Sequence, residues 1–438
     1  MKKVKIGVVG GYRGGSMINA CKILESAEVV AICDKSTFVL EKQAEMAKAE
    51  GLDITFYEDY ETFLTHDMDA VVLANFATEH APFAIKAMKA GKHVYSEVLP
   101  VQTMKEAVEL VECVEETGMI YAYGENYCFM PIPHEMKKLY EAGKIGEFEY
   151  GEGEYVHNCE HIWPHITYGN PDHWRNNMYS TYYCTHSIGP IIHITGLRPV
   201  SVVGFESTMN ERSLRCGKKS GQFGIEMITM ENGGIIKSLH GDLYRRSNWF
   251  CVYGSKGRME SGRVDTGAEG KKTIYVDADE FSGQYGEKEQ VNLVSYIPTR
   301  EHDEIAKEFG HGNSDYYIVR NFIEKLQGNP DADIIDVYEA MDMFLPGLFA
   351  YRSILAGNVS MEIPDLRDKS VRDRYRNDVA CTDPKVAGDQ LLPTFSKGTP
   401  DIPAETYALM KQKWEEAQKN NDPYVKKKLH SVLLKTKK

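Results

Sequence analysis

The chain has 438 residues, of which 42% are hydrophobic and 26% charged, with a formal net charge of −13. That length can bury a large core and suits two domains plus an appendage, while the acidic balance argues against broad binding to nucleic acid or anionic membranes. The nine cysteines are scattered with no Cys-x-x-Cys pair, which argues against a disulfide framework and for a reducing compartment. A buried-strand pattern starts at Val4, with no apolar leader pattern before it and no apolar run long enough to span a membrane, so a cytoplasmic protein is expected.

Through the first 125 residues short apolar runs alternate with helical periodicity, the signature of a parallel sheet covered by helices. Strands are expected at 4–10, 28–33, 70–74, 92–97 and 119–123, and helices at 15–25, 37–50, 79–90 and 103–117. In the last helix Val108, Leu110, Val111 and Val114 share a face. Beyond Gly124 the pattern changes to a helix at about 132–143, a polar strand at 147–156 and an irregular segment at 157–185 rich in aromatics and histidine. Strands follow at 199–206, 223–230, 234–241 and 249–253, and helices at 315–327 and 336–356. Runs of strands after an α/β unit predict a second, largely antiparallel sheet. The fold class is therefore α/β, an N-terminal Rossmann domain over 1–125 with an α+β domain over 126–381. A tail over 382–438 carries one plausible helix at 403–420 and a basic end, read as a solvated terminus.

The first strand runs into Gly10-Gly11-Tyr12-Arg13-Gly14-Gly15 and then a helix. Glycines there let the backbone approach a pyrophosphate, and the helix start offers free N–H groups. The fingerprint is imperfect: read from Gly10, Tyr12 takes the place of the second glycine, or else the turn is one residue short. Strand two ends at Asp34, 24 residues after Gly10, where a carboxylate can accept from ribose hydroxyls and repel a 2′-phosphate. NAD is the expected cofactor.

The start of the chain and the Ala90-Gly91-Lys92-His93-Val94 approach to Glu97 resemble the Gfo/Idh/MocA oxidoreductases. Most members carry Glu-Lys-Pro here, with the lysine between nicotinamide and substrate; this chain reads Glu97-Val98-Leu99-Pro100. With Gly124-Glu125-Asn126-Tyr127-Cys128, Tyr155-Val-His157, His173-Trp174-Arg175, Tyr183-Cys184-Thr185-His186 and Gly310-His311-Gly312, the order of motifs is similar to glycoside hydrolase family 109, the NAD-dependent glycosidase branch. The resemblance implies that Tyr12, Arg13, Asn75, His80, Glu97, Val98 and Asn126 face the cofactor, and that Glu125, Trp174, Arg175, Thr185 and His311 face a sugar. Family members commonly assemble into dimers or larger oligomers, so a homo-oligomer is expected.

Such a site needs definite chemistry. A sugar C–H is a poor hydride donor unless its O–H proton leaves as well, so a base must stand beside the carbinol, and imidazole suits the task. His186 matches the family's catalytic histidine, with Tyr183 and Thr185 placed to orient it or to touch sugar hydroxyls. Oxidation at C3 would acidify the C2 hydrogen, whose removal expels the group on C1; Tyr155 and His157 match positions near that second proton transfer. Water addition and re-reduction would complete redox-neutral cleavage. The alternatives are a plain glycoside 3-dehydrogenase and a non-catalytic NAD or sugar sensor. His157, Cys159, His161 and His165 fit no familiar zinc spacing, so no metal is expected. The family's tyrosine-bearing stretch is also unmatched at Leu243-Tyr244-Arg245-Arg246-Ser247, unless Tyr244 replaces it.

Overall fold

Each apolar run of the first 125 residues becomes a strand, and the helices between them cover the sheet. The computed structural model describes residues 2–263, 273–278 and 292–419. Its first sheet holds β1 (Val4–Val9), β2 (Ala27–Cys33), β3 (Thr55–Tyr57), β4 (Ala70–Leu73), β5 (His93–Ser96) and β6 (Tyr121–Tyr123). All run parallel in the order β3-β2-β1-β4-β5-β6. The order in which strands are added reverses between β1 and β4, and ligands of doubly wound sheets bind beyond the carboxyl ends of strands at such a switch. β3 and the helix Tyr60–Leu64 escape the sequence reading because three and five residues are too short to show a period.

The second sheet has nine strands: β7 (Phe148–Val156), β8 (Pro199–Glu206), β9 (Phe223–Met230), β10 (Ile235–Gly241), β11 (Ser247–Gly254), β12 (Gly257–Ser261), β13 (Ile274–Ala278), β14 (Leu293–Tyr296) and β15 (Met361–Glu362). Their order is β14-β13-β12-β11-β7-β10-β9-β8-β15, and every pair is antiparallel except β10 beside β7. One face packs against the helices Thr185–Thr195 and Val337–Leu355. The first of these is a helix that its Gly189-Pro190 pair hides from a sequence reading. It sits very close to β7: a Cβ on Gly153 would lie 1.8 Å from the Ser187 carbonyl oxygen. Only glycine permits that approach, and the approach brings His186 onto Tyr155 of β7.

After β15 the chain returns to the first domain, where Arg372 and Arg376 pair with Glu115 and Glu112 of the helix Met104–Thr117. The helix Ala404–Lys419 then packs on the short helix Trp163–Thr167. Its Ala417 and Trp414 meet Tyr12 and Phe38 beside the glycine turn. The basic end expected at 426–438 lies outside the described residues. No helix among the described residues is long and apolar enough to cross a membrane.

Candidate active site

The glycine turn lies at the carboxyl end of β1. Gly10 has φ +88°, and a Cβ there would meet the Ala74 carbonyl oxygen at 2.4 Å, so glycine is required where β1 and β4 part. Asp34 at the end of β2 accepts from Gly11 N–H (2.8 Å) and Ser36 N–H (2.8 Å). Burial raises its pKa and those two N–H groups oppose the rise. Lys35, next to it in sequence, pairs instead with Glu79, which also accepts from Asn75 Nδ2 (3.2 Å). Asn75 Oδ1 and Asn126 Oδ1 are buried without hydrogen-bond partners among the described residues. Orphaned acceptors beside a glycine-lined turn and a ribose-type carboxylate fit a bound dinucleotide, whose amide and hydroxyl groups would satisfy them. His80 has a different place. It is buried, its Nδ1 donates to the Leu99 carbonyl (2.8 Å), and burial pushes its pKa down to about 4, so it is a neutral tie to the Glu97–Pro100 turn.

Where the family lysine would stand, Val98 is buried in the core. The cation at this wall comes from the glycine turn instead. Arg13 donates to Glu97 Oε1 (2.8 Å) and bidentately to Asp315 (3.0 and 3.1 Å). Asp315 also accepts from Asn126 Nδ2 (3.1 Å) and pairs with His311 Nδ1 (3.0 Å). Asp315 is fully buried, yet Arg13 and His311 hold its pKa well below the ordinary carboxylate value. For Glu97 burial wins over Arg13, and its pKa is raised. His311 has φ 54° in a non-glycine residue. That conformation costs about 1–3 kcal/mol and is commonest where function over-determines the backbone.

Beyond this wall, His186 Nδ1 lies 2.6 Å from Glu125 Oε1 and its ring stacks on Tyr127, centroids 4.3 Å apart. Tyr155 and Tyr183 meet the same ring edge-on at 4.7 and 5.1 Å. A carboxylate on Nδ1 fixes the tautomer with the proton there and leaves Nε2 as the basic atom. Glu125 Oε1 also accepts Tyr127 N–H (3.1 Å), while Oε2 is buried without a hydrogen bond among the described residues. Thr185 is buried beside Tyr123, behind His186 rather than among the tyrosines.

The far wall is aromatic and cationic. Trp174 stacks with Tyr183 (6.3 Å), and the Arg175 guanidinium lies 4.3 Å over Trp174 and 5.3 Å over Tyr183. His157 Nε2 accepts from Arg246 (2.5 Å) and its Nδ1 lies 3.0 Å from Cys159 Sγ. Burial, then Arg246, pushes the His157 pKa down to about 4. His161 is exposed and His165 turns to Trp414 (6.1 Å), so the four members of that cluster do not converge. In the sequence Tyr127 stands only as a motif letter, and Asp315 lies three residues beyond the Gly310-His311-Gly312 motif. Helical spacing does not pair Asp315 with His311, which lies in the left-handed turn before the helix Ser314–Leu326, and the stacking of Tyr127 had no signal either.

Residues 4–125 match the oxidoreductase family with the NAD-binding Rossmann fold, Gfo/Idh/MocA, and residues 206–372 match the glycosyl hydrolase 109 C-terminal domain. Those two regions belong to the Gfo/Idh/MocA oxidoreductases and to glycosyl hydrolase family 109. The chain is accordingly an NAD-binding enzyme. It is 28% identical over 402 residues to a glycosyl hydrolase family 109 protein of Solibacter usitatus, covering 83% of this chain and 88% of the relative. A namesake from Streptomyces filamentosus is 26% identical over 399 residues, covering 83% and 77%. Among solved structures, scyllo-inositol dehydrogenase from Lactobacillus casei with NAD(H) and scyllo-inositol aligns with TM-score 0.62 at 18% identity, over 83% of this chain and 99% of that one.

Proposed function

We propose that the enzyme oxidises a glycoside at C3 with NAD as the first step of redox-neutral glycosidic cleavage. The observation that carries this reading is His186, oriented by Glu125 and enclosed by Tyr127, Tyr155 and Tyr183. Bound NAD would supply hydride acceptance at the carbinol carbon and, later, hydride return. Residues of the glycine turn, Asp34, Asn75 and Asn126 would hold it, with Glu97 at the nicotinamide end. His186 Nε2 removes the carbinol proton as the ketone forms. Tyr155 then takes the C2 proton, and the group on C1 departs with its bonding pair. Water adds at C1 and C3 is re-reduced.

A plain 3-dehydrogenase is the second reading, and one observation favours it. Burial, then Tyr127 and Tyr183, drives the Tyr155 hydroxyl well above its ordinary pKa, and Arg175 only partly opposes this. A phenol held neutral is a poor base. One assay separates the two readings. Full-length protein is given 4-nitrophenyl glycosides while nitrophenol and NADH are followed together. Nitrophenol without accumulating NADH is expected. NADH rising with a ketone and no phenol would establish the dehydrogenase, and silence in both channels would leave a sensor. Tyr155→Phe should keep hydride transfer yet slow solvent deuterium entry at C2; unchanged exchange removes Tyr155 from its role.

A further inference from the structure

Most buried or half-buried arginines of the chain have a carboxylate: Arg13 has Glu97 and Asp315, Arg212 has Asp242, Arg352 has Asp378, and Arg372 has Glu115. Arg175 and Arg246 have none among the described residues, although the chain carries 64 acids against 51 lysines and arginines. Arg175 is half-buried on Trp174 and Tyr183 and hydrogen-bonds the Tyr183 hydroxyl, whereas Arg246 is exposed and is held by His157. The carboxylate of this wall, Asp242, is already taken by buried Lys218 and Arg212. Glu160 is likewise taken by Arg215 (2.6 Å). A half-buried cation without a counter-charge is costly, so Arg175 suits a site that a ligand completes, and exposed Arg246 adds a second, solvated cation to the same wall.

We infer that Arg175 and Arg246 read an anionic substituent, and that the substrate is a uronoside, a glycoside whose sugar ring bears a carboxylate. The inference rests on the glycoside reading above and adds to it the charge of the sugar. The guanidinium of Arg175, 4.3 Å over the Trp174 ring, is a planar fork of N–H donors of the kind that matches a planar carboxylate. His157 fixes Arg246 without neutralising it, since Nε2 accepts and Cys159 engages Nδ1. The site is thus polarised, with Glu97 and Asp315 around Arg13 on one side and the cations Arg175 and Arg246 on the other. A uronate can lie along that field in one sense only, which orients the ring as well as binding it.

The test uses full-length NAD-loaded protein. Calorimetry compares glucuronate and galacturonate with glucose and galactose, and 4-nitrophenyl uronides are compared with the neutral glycosides in turnover. At least one uronate should bind tenfold or more tightly than its neutral partner, with the advantage falling as salt rises. Arg246→Gln should cut the uronide-to-neutral ratio of kcat/KM at least tenfold through KM, and Arg246→Lys should restore part of it. Equal or better use of neutral sugars overturns the inference and leaves the glycoside reading standing. An advantage untouched by Arg246→Gln removes Arg246, and tighter binding of a sugar 6-phosphate overturns the carboxylate. If no sugar of either charge binds or turns over, both readings fall.

Discussion

On the Rossmann side of the cavity Arg13 is shared by Glu97 and Asp315, with His311 closing the set. On the opposite side Arg175 and Arg246 face aromatic rings and an imidazole. The charges of the first wall are paired before any ligand arrives, and the wall also ties the two domains together, because Asp315 opens the helix Ser314–Leu326 of the second. The second wall is left incomplete. A self-contained wall suits a cofactor that every turnover requires in one place, whereas an incomplete one suits recognition. His186 lies between the two: its carboxylate is Glu125, which also accepts Tyr127 N–H, and its ring meets Tyr183 of the second wall edge-on.

The strongest way to probe this division is to remove its centre. His186→Ala should lower hydride transfer by roughly 10²–10⁴-fold, the ordinary worth of a positioned base. NAD affinity should stay within a few-fold, because the glycine turn and Asp34 are untouched; single-turnover NADH formation and cofactor titration report the two quantities. A parallel loss of cofactor binding would mean that His186 props the fold instead.

The next contrast sets the two walls directly against each other. Asp315→Ala leaves Arg13 with Glu97 alone and His311 without its carboxylate, and breaking a buried pair in this way costs about 3–5 kcal/mol. Arg175→Gln removes a cation that has no carboxylate, so denaturant midpoints should place its cost within about 1 kcal/mol, the scale of one cation–π contact. Its effect should fall on KM. Comparable stability losses for the two variants would erase the distinction between a structural wall and a recognition wall.

Titration gives opposite signs at two buried histidines. His80 is held neutral in the fold with its pKa near 4 against an ordinary 6.5. The unfolded chain therefore binds that proton first, so the contribution is full above pH 6.5 and disappears as pH falls towards 4, amounting to roughly 3 kcal/mol. His193 is raised to about 9, burial being outweighed by Glu339 and Asp333. Its contribution is full below pH 6.5 and is lost as pH rises through 9. His80→Gln should flatten the acid limb of a stability–pH curve, and His193→Gln the alkaline one. His134, His157 and His173 are lowered as well, so His80→Gln flattens the acid limb only in part.

Much of the first domain was legible because parallel strands are continuous apolar runs and their helices carry a clean period. The helix expected at 37–50 is found at Thr37–Glu50, where Ser36 caps its start and Gly51 its end. The second domain was harder. β12 to β15 are short, and the helix that carries His186 is disguised by Gly189-Pro190. Site residues were legible as chemistry, through histidines, tyrosines and glycines in motif order, but not as pairings. Nothing in the sequence joins Arg13 to a residue 302 positions away, or shows that Lys35 ignores Asp34 in favour of Glu79. Those choices are made by how the two sheets meet.

The smallest expected effect concerns the helix Ala404–Lys419, which the sequence offers as one plausible helix at 403–420 in the tail. Trp414 packs on Tyr168 at 5.1 Å and joins Ala417, Tyr12 and Phe38 in a small apolar cluster at the edge of the glycine turn. Gly169 lets the helix come close, since a Cβ there would lie 2.3 Å from Lys411 N. Trp414→Ala removes one half-buried aromatic and should cost about 1–2 kcal/mol locally, less than a fully buried tryptophan. Hydrogen exchange in 404–419 should accelerate while the core of the first sheet keeps its protection. If exchange instead rises through the glycine turn and its following helix, the terminal helix is part of what holds the cofactor end in shape, and the division between the two walls extends to a third element.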